Sequence, residues 1–99
     1  MAVKEQMGVQ SQNKVREPKR YQVVMHNDDF TPMDFVVYVL ATIFLKEEKE
    51  AVDLMLQVHN GQKAVIGIYS YDIAHTRVSQ VMEMARKEGY PFRVTVEEV

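Results

Sequence analysis

The run His26-Asn27-Asp28-Asp29-Phe30-Thr31-Pro32-Met33 constrains this chain more than any other stretch. Before it, Tyr21-Gln22-Val23-Val24-Met25-His26 is short and β-rich and predicts a strand. Within and after it, Thr31-Pro32-Met33-Asp34 bears the marks of a helix start: a Thr cap, Pro at the first helical position and an acid three residues past the cap. Phe35, Val36, Val39, Leu40, Ile43 and Phe44 then recur at helical spacing, which predicts a helix from 32 to about 45 with a broad apolar face. Its β-branched residues lower helix propensity, so tertiary packing must hold it. A strand-to-helix loop therefore carries an amide, two carboxylates and a histidine, and loops so placed carry function more often than the elements around them.

The rest of the chain divides in the same way. Glu47, Glu48 and Glu50 lie near the positive end of a second helix that runs to His59, with Ala51, Leu54, Met55 and Val58 as its stripe and Gly61 as a left-handed terminator. Lys63-Ala64-Val65-Ile66-Gly67-Ile68-Tyr69 predicts a buried strand. Ser70 caps a third helix over 71–88 whose inward residues are Ala74, Val78, Val81 and Ala85, and Gly89 and Pro91 stop it. Phe92 to Glu97 alternates as a final strand. The order β-α-α-β-α-β predicts an α+β fold, a small three-stranded antiparallel sheet with three helices packed on one face.

Residues 1–19 are polar and without periodicity, and predict a disordered arm ahead of one folded domain over residues 20–99. Residues 1–20 hold five Lys/Arg and two acids, a net of +3, whereas the remainder holds seven basic and twelve acidic residues, a net of −5. A basic arm without interleaved aromatics is a poor nucleic-acid signature, and the acidic body repels a phosphate backbone. The chain has no cysteine, which excludes disulfides, thiolate nucleophiles and cysteine-ligated zinc. No signal-peptide pattern or membrane-length apolar run occurs, so the expected location is cytoplasmic.

Asn27, Asp28 and Asp29 equally suit a plain turn, because their side chains bond nearby backbone. His26, Asp28, Asp29 and His59 permit a metal-dependent hydrolase as the alternative function, although their spacing matches no ligand signature. No glycine-rich phosphate loop or nucleophile elbow is present, and no metal or cofactor is expected. Met33, Val36, Met55 and Val58 suit an ordinary core, yet seven methionines in so short a chain favour an adaptable binding surface. A ribosome-associated interaction module is a third reading, since fold alone does not specify function.

The stretch Asn27-Asp28-Asp29-Phe30-Thr31-Pro32-Met33-Asp34-Phe35-Val36, followed by Leu54-Met55-Leu56-Gln57-Val58-His59, closely resembles the ClpS family, the bacterial adaptors of the ClpAP protease. The resemblance covers about residues 20–99, with Lys63-Ala64 to Gly67, Asp72 to Arg77-Val78 and Pro91-Phe92 also matching. It implies a non-enzymatic protein that binds substrates bearing N-terminal Leu, Phe, Tyr or Trp and delivers them to the N-terminal domain of a ClpA-type AAA+ unfoldase. It further implies that Asn27, Asp28 and His59 hold the substrate α-amine, and that Asp29 and Thr31 support the loop or meet the peptide backbone. Met33, Val36, Met55, Val58 and Phe92 would line the side-chain pocket, with Met33 as the gatekeeper against β-branched first residues. Asp72 and Arg77 match positions that contact ClpA, and the arm matches a mobile extension needed for delivery. Gly61 stands one position earlier than is usual in the family, and Phe92 replaces a common leucine. The helix end near His59 is thus expected to be reshaped and the pocket narrowed.

Overall fold

The computed structural model describes residues 18–99; the arm expected over residues 1–19 lies outside them up to residue 17. Strand β1 (Tyr21–His26) leads into helix α1 (Met33–Thr42) and helix α2 (Glu48–His59), then strand β2 (Ala64–Tyr69), helix α3 (Tyr71–Glu88) and strand β3 (Arg93–Glu98). The strands form one antiparallel sheet in the order β2-β1-β3, so β1 is central, and the β-α-α-β-α-β architecture is the one expected.

Tyr21, Val23 and Met25 alternate onto the helix side of β1, with Met25 opposite Ala64 on one neighbour and Val94 on the other. On β2 the register slips: Val23 faces Gly67 while Val24 faces Val65, which leaves Ile66 as the extra residue of a bulge. The bulge switches parity, so Ala64 and Ile66 are buried while Ile68, two residues further on, is exposed. Val36, Val39 and Leu40 of α1, Ala51, Met55 and Val58 of α2, and Ala74, Val81 and Ala85 of α3 complete one core with these strand residues. α3 packs across all three strands, chiefly on β3, whereas α2 packs on α1 and β2. No helix among the described residues is long and apolar enough to cross a membrane.

Helix α3 has the expected limits: Ser70 Oγ accepts from the Ile73 N–H at 3.5 Å, and Gly89 ends it at φ 78°. Several boundaries differ from expectation by a residue or more. α1 starts one residue late, with Pro32 in extended backbone at its cap and no side-chain cap, because the Thr31 hydroxyl donates to Asp28 instead. It also ends at Thr42 rather than near 45, because Leu45 turns the chain at φ 57° and lets the Lys46 N–H donate back to the Leu40 carbonyl. The last strand begins at Arg93, one residue after Phe92, which is buried ahead of the first rung.

Candidate functional site

The ladder between β1 and β3 closes with His26 opposite Arg93, and the chain leaves the sheet at Asn27, which is exposed. Asp28 shapes the loop from there to α1. Its Oδ1 accepts from the backbone N–H groups of Phe30 and Thr31, both at 2.8 Å, and its Oδ2 accepts from Thr31 Oγ1 at 2.7 Å. These bonds make the plain-turn reading correct as local structure. They do not neutralise the site. Burial pushes the Asp28 carboxyl up, but donation from the Thr31 hydroxyl and from the Phe30 and Thr31 amides outweighs it and holds the group below the usual carboxylate range. Thr31, only 7 % exposed, is locked beneath the loop.

Three other segments meet this loop. Met33 and Val36 project one turn apart from the start of α1, and Met55, Val58 and His59 share a face of α2 at the i, i+3, i+4 spacing. Phe92 arrives from the segment before β3, buried, with Phe35 edge-on at 6.1 Å between ring centres. Together they enclose a narrow cavity of about 10 Å³ lined by His26, Asn27, Asp28, Thr31, Met33, Val36, Met55, Val58, His59 and Phe92. Of the residues expected at the amine and side-chain sites, all eight reach this cavity. Asp29 does not; it is exposed and outside the lining. Met33 is 44 % exposed at the mouth, while Met55 is 8 % exposed within.

The early glycine near His59 is absorbed by an ordinary helix ending. Gly61 takes φ 92°, its N–H donates to the Val58 carbonyl at 3.1 Å, and the Gln62 N–H donates to the Gln57 carbonyl at 3.2 Å. His59 therefore stays on the last turn of α2, at the cavity.

His26 also belongs to the cavity wall, a place the family resemblance does not give it. Its Nε2 lies 2.9 Å from Thr95 Oγ1 on the neighbouring strand. Burial, the Arg93 guanidinium and the Lys63 ammonium lower its pKa while Glu97 opposes them, and the net displacement is downward, towards a neutral ring. The one signal for it in the sequence is its position as the last residue of a strand entering the loop.

Around one apolar hole, then, stand a carboxylate, an amide and two imidazoles, an arrangement that accepts hydrogen bonds from a cation while burying an apolar group. Of the alternative hydrolase set, His26, Asp28 and His59 line the cavity, but Asp28 is bonded within its turn, His26 to Thr95, and Asp29 is exposed and outside the lining. Among the described residues no three His, Asp or Glu side chains gather in a metal-holding group. Asp72 and Arg77 line a separate groove of about 410 Å³ with Leu45 and Ile73, where the Arg77 guanidinium lies 5.3 Å from the centre of the Tyr69 ring.

Residues 16–95 match the family described as ATP-dependent Clp protease adaptor protein ClpS. The ATP-dependent Clp protease adapter protein ClpS of Syntrophus aciditrophicus is 45 % identical over 95 residues, covering 96 % of this chain and 89 % of the relative. That of Wolinella succinogenes is 51 % identical over 84 residues, covering 85 % of this chain and 82 % of its own. Among solved structures, Agrobacterium tumefaciens ClpS2 bound to L-phenylalaninamide aligns with a TM-score of 0.80 and 32 % identity, over 84 % of this chain and all of that one.

Proposed function

Because this chain belongs to the ClpS family of ATP-dependent Clp protease adaptors, we propose that it is a receptor for proteins with a free, bulky apolar N-terminal residue, Leu, Phe, Tyr or Trp. Its relatives are named as adaptors, a non-catalytic role, and the proposed cavity chemistry is recognition without bond making. The observation that carries the reading is the convergence of polar acceptors and apolar walls on one cavity. A peptide α-amine has a pKa of about 7.7–8.0, so at neutral pH most of it is charged. Its three N–H donors find acceptors in the Asp28 carboxylate, the Asn27 amide oxygen and a His59 ring nitrogen.

The apolar half of the site reads the first side chain. Burying a Leu or Phe there contributes roughly 1.5–3 kcal/mol, enough to discriminate and too little to bind alone. The cavity of about 10 Å³ is too small for such a side chain as it stands, so entry requires the flexible methionines to swing. Met33, exposed at the mouth, is the gate. Phe92, buried with Phe35 edge-on beside it, forms part of the apolar wall. The solved relative was bound to L-phenylalaninamide, a free amine carrying a benzyl group, which supports both halves of the assignment.

We assign residues 20–99 as the adaptor domain, the segment before it as the extension that assists delivery, and the Asp72–Arg77 groove as the face that docks on a ClpA-type unfoldase. To Asp29, exposed beside the cavity loop, we assign contact with the peptide backbone beyond the first residue, and to the protein a cytoplasmic site of action. Fluorescence anisotropy with one labelled peptide in four forms tests the core of this. Peptides with N-terminal Phe and Leu should bind tightly, and those with acetylated Phe or N-terminal Val should not. Equal affinity of the free and acetylated Phe peptides would refute amine recognition.

A further inference from the structure

We infer that His26 is a positioning residue of the amine site: as an Nε2–H donor to Thr95 it ties the end of β1 to β3 and so sets where Asn27 and Asp28 present their oxygens. This role rests on the amine-binding reading and deepens it.

On the face of the sheet away from the helices, Gln22 Nε2 donates to Glu97 Oε1 at 3.3 Å, and Thr95 Oγ1 donates to Glu97 Oε2 at 3.3 Å. A carboxylate only accepts, so the Thr95 hydroxyl proton points at Glu97 and its lone pairs remain for another partner. That partner is His26 Nε2 at 2.9 Å, and with the hydroxyl proton on Glu97 the ring is the donor of that contact. The carboxylate at the far end of the chain of bonds thus sets the tautomer. A neutral ring so protonated keeps Nδ1 as an acceptor and places no positive charge beside a site meant for a cation.

The clamp sits where the fold needs one. His26 forms the last rung of the β1–β3 ladder, and Asn27 leaves the sheet immediately after it. On the other side of Asn27 the Asp28 turn is anchored by its bonds to Phe30 and Thr31. Asn27 is thus held between two fixed points, of which His26, itself a lining residue of the cavity, is one. A ring free to rotate would loosen that rung and let the Asn27 oxygen wander, at the expense of amine contacts and not of the apolar walls.

The test uses the full chain in three variants, with peptide affinities and imidazole nitrogen NMR. His26→Gln keeps a donor near the Nε2 position and should bind the free Phe peptide within about threefold of the unmodified chain. His26→Phe keeps the ring's bulk without the donor, and Thr95→Val removes the acceptor; each should lose about tenfold in affinity, the scale of one net hydrogen bond in a partly buried site. All three should retain the preference for Phe over Val, because the apolar lining from Met33, Val36, Met55, Val58 and Phe92 is untouched. NMR should find the His26 ring as the Nε2–H tautomer, with the Nδ1–H form gaining population in Thr95→Val, a change that a merely space-filling histidine would not show. Undiminished binding by both His26→Phe and Thr95→Val, or an Nδ1–H ring in the unmodified chain, overturns the inference alone. If the unmodified chain binds no free-amine peptide, the amine site itself is overturned and this role falls with it.

Discussion

Replacing Asp28 by alanine and by asparagine separates its two duties. Asp28→Ala deprives three donors of their acceptor at once. The Phe30 N–H is exposed and regains a bond to water, so its loss contributes little. Thr31 is only 7 % exposed, and its N–H and hydroxyl are left unpaired in a place water reaches poorly. With about 1–3 kcal/mol for each buried group left unsatisfied, and a hydroxyl free to rotate, Asp28→Ala should destabilise the fold by about 2–4 kcal/mol. Asp28→Asn keeps an oxygen for both amides and lets the Thr31 hydroxyl accept instead of donate, so its loss should stay within about 1 kcal/mol. Amine binding should not separate the two. Both variants lack the charge, and with Asp28 half-buried beside an open cavity the loss should be about 1.5–3 kcal/mol, ten- to a hundredfold in affinity.

Acid adds an independent check. The folded carboxyl titrates below its ordinary value near 3.9, so its stabilisation is complete above about pH 4 and is lost as the pH falls through the lower folded value. Asp28→Asn should therefore lose less stability than the unmodified chain between pH 4 and acid. Urea unfolding at neutral pH and below pH 4, paired with anisotropy on the free Phe peptide, measures all three. An Asp28→Ala chain with an unchanged urea midpoint would show that the turn does not depend on these bonds. An Asp28→Asn chain that binds the peptide undiminished would show that no charge pairing occurs.

Met33→Ala opens the mouth of the cavity and should admit peptides beginning with Val or Ile; anisotropy that still excludes them would refute the gate. Leu45 stands at φ 57° and is 71 % exposed, a conformation that disfavours a non-glycine residue by roughly 1–2 kcal/mol. Glycine there carries about 0.5–1 kcal/mol of extra chain entropy, so Leu45→Gly should be neutral to about 1 kcal/mol stabilising in urea unfolding. A clear destabilisation would mean that the Leu45 side chain is docked.

Much of the fold was legible because its signals are local. Ser70 and Gly89 bracket α3 within their own turns, and the stripes of α2 and α3 follow from helical period alone. The cavity set was legible for another reason. Strand-end loop, helix start and second helix each carried recognisable residues, and their convergence was implied by family resemblance, not by spacing. Thr31 was readable as a cap, yet its hydroxyl turned to Asp28, a choice between two partners equally close in sequence that packing of the loop decided. The bulge that switches the parity of β2 at Ile66 depends on its pairing with β1, which no window along one strand contains.

His26 marks the boundary most sharply. As a residue it could be a ligand, a surface group or part of a wall, and composition distinguishes none of these. Its partner Thr95 stands 69 positions away, brought alongside only when β3 pairs with the opposite edge of β1. Elements, their order and their ends were determined by short-range forces written along the chain. Which tautomer, which bond and how wide a cavity were decided by the sheet, because hydrogen bonds and packing act over a few ångströms of space whatever the distance in sequence.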